Sequence, residues 1–192
     1  AQAADLLDRL GEVLAVGAKI DAAERDRIER VRIAALTDLV AAPPKDADAA
    51  RRAAWNARLM ALQARCADPA RITPEQIEQF IRALAGAAAD APDTAELRRA
   101  IEQLLAAVRQ PPAWSARPAN ERMRIVAIML SASTQPDHSL ELLAGQTLLE
   151  LDQPAEAAAR LRPLLGTPLD RAGQPTRPQL RLALAAALAA LG

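Results

Sequence analysis

An all-α protein is what this sequence predicts, and three observations carry the prediction. Half of the residues are apolar, yet the aromatic ones are only Trp55, Trp114 and Phe80, so alanine and leucine must fill the core. Such a core suits closely packed helices, whereas sheets favour β-branched and aromatic side chains. Apolar residues also recur at i, i+4 and i+7, and helix caps and proline-rich breaks follow one another at short intervals. At 192 residues the chain holds one full-sized domain or two small ones.

A first helix is expected over about 3–18, where Leu6, Leu10, Val13 and Leu14 share a face. Asp21 with Glu24 makes a capping-box pattern for a second, which carries Ile28, Val31, Ala35 and Leu39 until Pro43-Pro44 stop it. The third occupies about 48–67, with Trp55, Leu59, Leu62 and Cys66 on one stripe. Cys66 is the single cysteine, so it forms no internal disulfide, and it reads as a small core residue with no histidine nearby in sequence to activate it. Thr73-Pro74-Glu75-Gln76 is the clearest helix start in the chain: a hydroxyl cap, proline at the first helical position, and glutamine three residues after the cap. Ile77, Phe80, Ile81 and Leu84 supply its buried face, and Gly86 with Asp90-Ala91-Pro92 closes it. Asp93 and Glu96 are expected to cap a fifth helix, striped by Leu97, Ile101, Leu104, Leu105 and Val108 and ended by Pro111-Pro112. Pro111 to Pro118, with three prolines in eight positions around Trp114, is the strongest linker candidate. The apolar run Met123 to Leu130 is expected to be a buried helix, because its neighbours are helical and a strand there has nothing to pair with.

Charge and chemistry exclude several functions. Twenty-four basic residues balance twenty-four acidic ones, so no broad positive field recruits nucleic acid or an anionic membrane. Arg25, Arg27, Arg30 and Arg32, and again Arg51, Arg52 and Arg58, are grouped as if to grip phosphates or an acidic partner, but Asp21, Glu24, Asp26 and Glu29 are interleaved with the first set. A solvated outer face is the expected reading. No apolar run approaches the roughly 20 residues that a membrane-spanning helix needs. With one histidine, His138, and one cysteine, the chain offers no cluster for a metal site. His138 follows Asp137, the expected cap of the next helix, and reads as a solvated or capping side chain. The glycines are dispersed, with no phosphate-binding loop, and the carboxylates are scattered as helical partners of arginine, such as Glu24 with Arg27 and Glu96 with Arg99. No catalytic residue, metal or cofactor is expected. The Ala, Arg and Pro bias matches a bacterium with GC-rich codons. The opening Ala1-Gln2-Ala3 has the small-x-small form of a signal-peptidase site, and a trimmed N-terminus gives the same start, so periplasm and cytoplasm both stay open.

Residues 140–165 read as two amphipathic helices joined by a turn of about three residues. Small side chains, Gly145 and Ala157, stand where paired helices approach closely, and Leu148, Leu151, Leu161 and Leu164 stand where they interlock. This hairpin resembles a tetratricopeptide (TPR) repeat. Leu180 to Gly192 resembles the first helix of a second copy at an offset of 40, with Ala185 in the place of Gly145 and Leu191 in the place of Leu151. The surplus over the family's roughly 34 residues falls in the turn-rich segment 166–178. The resemblance thus spans about 138–192, one complete and one partial repeat, and the chain stops where the family's second helix begins, which implies further repeats.

What the resemblance implies is an α-solenoid of helical hairpins, a right-handed superhelix. Residues 1–114 are then an N-terminal helical-hairpin region and 115–192 a TPR-like one, or both form one continuous solenoid. In the family, the first helix of each repeat lines a concave groove for partner segments. The matching positions are Ser139, Leu142, Gln146 and Leu149 in the first copy, and Gln179, Leu182, Ala186 and Ala189 in the second. Leu142 and Leu182 occupy places where a carboxylate clamp needs lysine, so an extended or helical apolar segment is the expected ligand. The implied function is a non-catalytic protein–protein interaction scaffold of a bacterial assembly, such as an envelope or secretion complex. The other reading is a helical non-catalytic domain of a larger enzyme whose active domain lies outside this chain.

Overall fold

A computed structural model describes Leu7 and residues 21–87, 91–133, 135–166 and 175–192. The helix expected over 3–18, Leu7 apart, and most of the segment 166–178 lie outside the described residues. Among the described residues the protein is all-helical, with no strand. Its helices are α1 (Ala22–Ala41), α2 (Ala49–Cys66), α3 (Pro74–Ala85), α4 (Pro92–Val108), α5 (Ala119–Ala132), α6 (His138–Glu150), α7 (Pro154–Leu161) and α8 (Arg177–Ala189). A 3-10 turn, Arg162–Gly166, extends α7. The chain divides into two compact units, Ala1–Ile72 with Gln79–Arg109 and Thr73–Glu78 with Gln110–Gly192.

In the first unit, side-chain caps start the helices as their sequences require. Asp21 accepts from the Glu24 amide at 2.8 Å and Asp48 from the Arg51 amide at 2.7 Å, each satisfying a donor that the first helical turn leaves open. Leu7, Leu36, Leu39, Leu59 and Leu62 form one core cluster. Val31, expected on the inner face of α1, is exposed; Leu39, expected there too, is buried together with Leu36, because the covered face runs through Ile33, Leu36 and Leu39. Among the described residues the most extensive helix contact is between α2 and α4. Ala57, Ala61 and Ala64 are buried along one stripe of α2, and Ala100 is buried on α4, so the backbones can approach closely.

Two ion pairs bracket this contact, Arg58 to Asp93 at 2.7 Å and Arg65 to Glu96 at 2.9 Å. They advance in the same direction along both helices, so α2 and α4 run parallel. Asp93 and Glu96 were expected to cap α4, and they do not. The helix begins at Pro92 with Ala91 at the cap and no side-chain cap bond, which leaves both carboxylates free to take arginines from α2. Cys66 is likewise no core residue. It is the last residue of α2, where the backbone turns to extended geometry at Ala67, and it is exposed.

The second unit opens with hydrogen-bonded turns rather than a free linker: the Trp114 amide donates to the Gln110 carbonyl and the Ala116 amide to the Pro112 carbonyl. Met123–Leu130 lies within α5, with Ile125, Val126 and Met129 buried. Consecutive helices pack in turn, α5 on α6, α6 on α7 and α7 on α8, and α8 also touches α6. Glu141 near the start of α6 meets Arg160 near the end of α7 at 2.8 Å, as an antiparallel hairpin demands. A shared core joins Leu142 and Leu148 of α6, Ala157, Ala158 and Leu161 of α7, Leu164, and Leu180, Ala183, Leu184 and Ala187 of α8.

Candidate functional site

The hairpin α6–α7 sets the geometry of the candidate partner surface. Asp137 starts α6 by accepting from the Ser139 and Leu140 amides at 3.0 and 3.1 Å. The helix ends in a Schellman turn: the Gln153 amide donates to the Leu148 carbonyl at 2.9 Å and the Asp152 amide to the Leu149 carbonyl at 3.1 Å. Asp152 takes the left-handed conformation this motif requires, with φ 58°, and Pro154 then opens α7. A Cβ at Gly145 would lie 2.6 Å from Cγ and Cδ2 of Leu161, so α7 presses against bare backbone there. Gly145 is thus a close-approach position, and the side chain it admits is Leu161. Ala157 is fully buried in the core cluster that holds Leu161.

The expected partner-binding residues divide into three groups. Gln146, Leu182 and Ala186 are exposed, with Leu182 at 74%. Ser139 and Leu149 are half-buried, Leu149 against the core. Leu142 retains only 9% of its surface, because α7 and α8 cover the α6 face on which it stands. Periodicity marks Leu142 as apolar but does not say which of two apolar faces a later helix will cover. Gln179 is exposed but engaged: its Oε1 accepts from the Thr176 amide at 2.8 Å and its own amide donates to Thr176 Oγ1 at 3.4 Å, a capping box that starts α8. The Thr-x-x-Gln spacing at 176–179 was the available signal for it.

A polar cluster that the sequence reading missed lies at the start of the second unit. The Arg122 guanidinium sits 5.9 Å from the Trp114 ring centroid and donates to Glu150 through both terminal nitrogens, one bond measuring 3.0 Å, which ties α5 to α6. Arg117, buried nearby in sequence, donates to Glu121. Three of the grouped first-unit arginines are engaged within the chain as well: Arg32 with Glu29 at 3.6 Å, Arg58 with Asp93, and Arg52 on the Ala47 carbonyl at 3.1 Å. His138, expected to be a solvated or capping side chain, is half-buried at the first position of α6.

Among the described residues two groups are electrostatically shifted. Partial burial first, then the Glu29 carboxylate, pushes the Cys66 thiol above its ordinary value, the opposite of what a nucleophile needs. Its own backbone N–H, then Arg124 and Thr73, hold the Glu75 carboxyl below the usual glutamate range. Among the described residues no three of His, Cys, Asp and Glu gather as a metal site, and no helix is long and apolar enough to cross a membrane. An open cleft of about 360 Å³ lies between the C-terminal ends of α2 and α4, lined mainly by Ala64, Ala67, Pro69, Ala100, Leu104 and Ala107. No family model, no curated protein and no solved structure matches this chain.

Proposed function

We propose that this chain is a non-catalytic docking scaffold, a stack of TPR-like helical hairpins that holds an apolar segment of a partner protein in a bacterial assembly. The observation that carries the reading is Leu182, a large apolar side chain left 74% exposed in a helix that shows no charge from there to Leu191. Larger contiguous exposed apolar patches mark interaction sites, and Leu188 and Leu191 near the same end of the chain are exposed as well. The antiparallel α6–α7 hairpin, its close contact at Gly145 and the α8 helix at the expected offset support the repeat reading. The partner surface comprises Leu182 and Ala186 with Gln146, flanked by Ser139 and Leu149. Leu142 and Gln179 contribute through the core and the α8 cap. The test is affinity capture from the source cell with the wild-type chain and Leu182→Glu/Ala186→Glu side by side. Because both side chains are exposed, helicity should be unchanged while a specific partner is lost; identical partner lists would sink the assignment.

A further inference from the structure

We infer that residues 110–118 form a strap pegged down by Trp114 and Arg117, and that the Arg122–Glu150 pair is the latch of the Trp114 peg, so that the strap lifts by itself while the helices beneath it stay folded. Its first support is the pattern of burial. Trp114 and Arg117 are buried and Ala113 is half-buried, whereas Gln110, Pro111, Pro112, Ser115, Ala116 and Pro118 are exposed.

The backbone of the segment bonds mostly to itself. Pro111, Pro112 and Pro118 have no N–H to give. The Trp114, Ala116 and Arg117 amides donate to the Gln110, Pro112 and Trp114 carbonyls at 3.1, 3.1 and 3.2 Å. These bonds curl the strap without fastening it to a helix. Side chains do the fastening.

The two pegs differ in reach. Arg117 donates to Glu121 in the first turn of α5, the helix into which the strap runs. Trp114 lies against the Arg122 guanidinium, and Arg122 is held in turn by Glu150, the last residue of α6. That chain of three fastens the strap to α5 and α6 together. Its middle member is covered and its last is open, the Arg122 and Glu150 side chains keeping 12% and 50% of their surface. A guanidinium that loses its carboxylate in so covered a place is drawn towards water, because a buried charge without a partner is costly. As it leaves, the Trp114 ring loses the cation that lies over it. A segment with few buried contacts and an exposed backbone opens at lower free energy than the fold it belongs to.

Native-state hydrogen exchange on the 192-residue chain tests this, read at the Trp114, Ala116 and Arg117 amides and at core amides such as Leu148 and Leu161. Local opening exposes little surface, so the strap amides should respond weakly to low concentrations of urea and the core amides steeply. Glu150→Gln should speed exchange of the strap amides roughly fivefold. Arg122→Lys, which keeps the charge but loses the planar fork, should do the same. Glu141→Gln is the control, because it breaks the Arg160 pair of the α6–α7 hairpin and leaves the latch intact. It should speed the core amides and leave the strap amides unchanged. Strap amides that share the urea dependence of the core, or that Glu141→Gln speeds as much as Glu150→Gln does, overturn the inference, because the segment then opens only with its whole unit. Strap exchange left unchanged by Glu150→Gln or by Arg122→Lys overturns it as well, since the pair is then no latch.

Discussion

Gly145 shows how one missing side chain sets a helix pair. Glycine costs helix stability by up to about 1 kcal/mol relative to alanine, so it is retained where something else needs the space. Here that is Leu161, fully buried and 2.6 Å from where a Cβ would stand. Gly145→Leu should destabilise the second unit by roughly 1–3 kcal/mol, the usual cost of overpacking. Gly145→Ala should also destabilise, and Leu161→Ala combined with it should cost less than the sum of the two, a coupling that urea melts of the single and double variants measure. Asp152 makes the opposite prediction. It holds φ 58° with a Cβ that the conformation disfavours, and Asp152→Gly should stabilise by about 0.5–1 kcal/mol once glycine's greater chain entropy is set against relieved strain. At Cys66 the raised thiol predicts slow alkylation despite its exposure, with a rate that climbs only at pH above the ordinary cysteine range. Labelling kinetics against a free cysteine peptide check it.

Helices were legible from their ends more than from their faces. Asp21, Asp48, Thr73 and Asp137 all bond the first turns of the helices they start, because a cap is a local bond between residues two or three apart. Burial is not local. Val31 and Leu36 are equally plausible inner residues of α1 until its neighbours are placed, and Asp93 looks like a cap until Arg58 arrives from 35 residues away. The same limit hid Arg122, whose partners Trp114 and Glu150 lie on either side of it in sequence. Glu150→Gln removes that pair, and with Arg122 mostly covered but Glu150 half exposed the cost should be about 1 kcal/mol, between the values for exposed and buried pairs. Glu75 adds a pH dependence to α3. Its carboxyl is held low in the folded chain, so its contribution is full above the unfolded glutamate value and is lost as pH falls through the folded one. Denaturation midpoints across the acid range should lose that slope in Glu75→Gln.

For the whole molecule, composition settled the class: a core of alanine and leucine leaves helices as the economical solution, and circular dichroism should show a helical spectrum without a dominant β signal. Partner and pathway were not legible, because an apolar surface states what it excludes more clearly than what it receives. Which of the candidate positions face outwards was legible in part. Leu182 and Ala186 are exposed at positions taken from the repeat pattern, while Leu142 lies in the core because α7 and α8 both fold back over α6. The sparse aromatic content that predicted the fold has a practical side. The two tryptophans fall one to each compact unit: Trp55, half-buried against the α1–α2 core, and Trp114, nearly covered and facing the Arg122 guanidinium. Each unit therefore carries its own intrinsic fluorophore. In Trp55→Phe and Trp114→Phe variants the remaining emission follows the opening of one half of the chain alone, so the order in which the halves melt can be read from light.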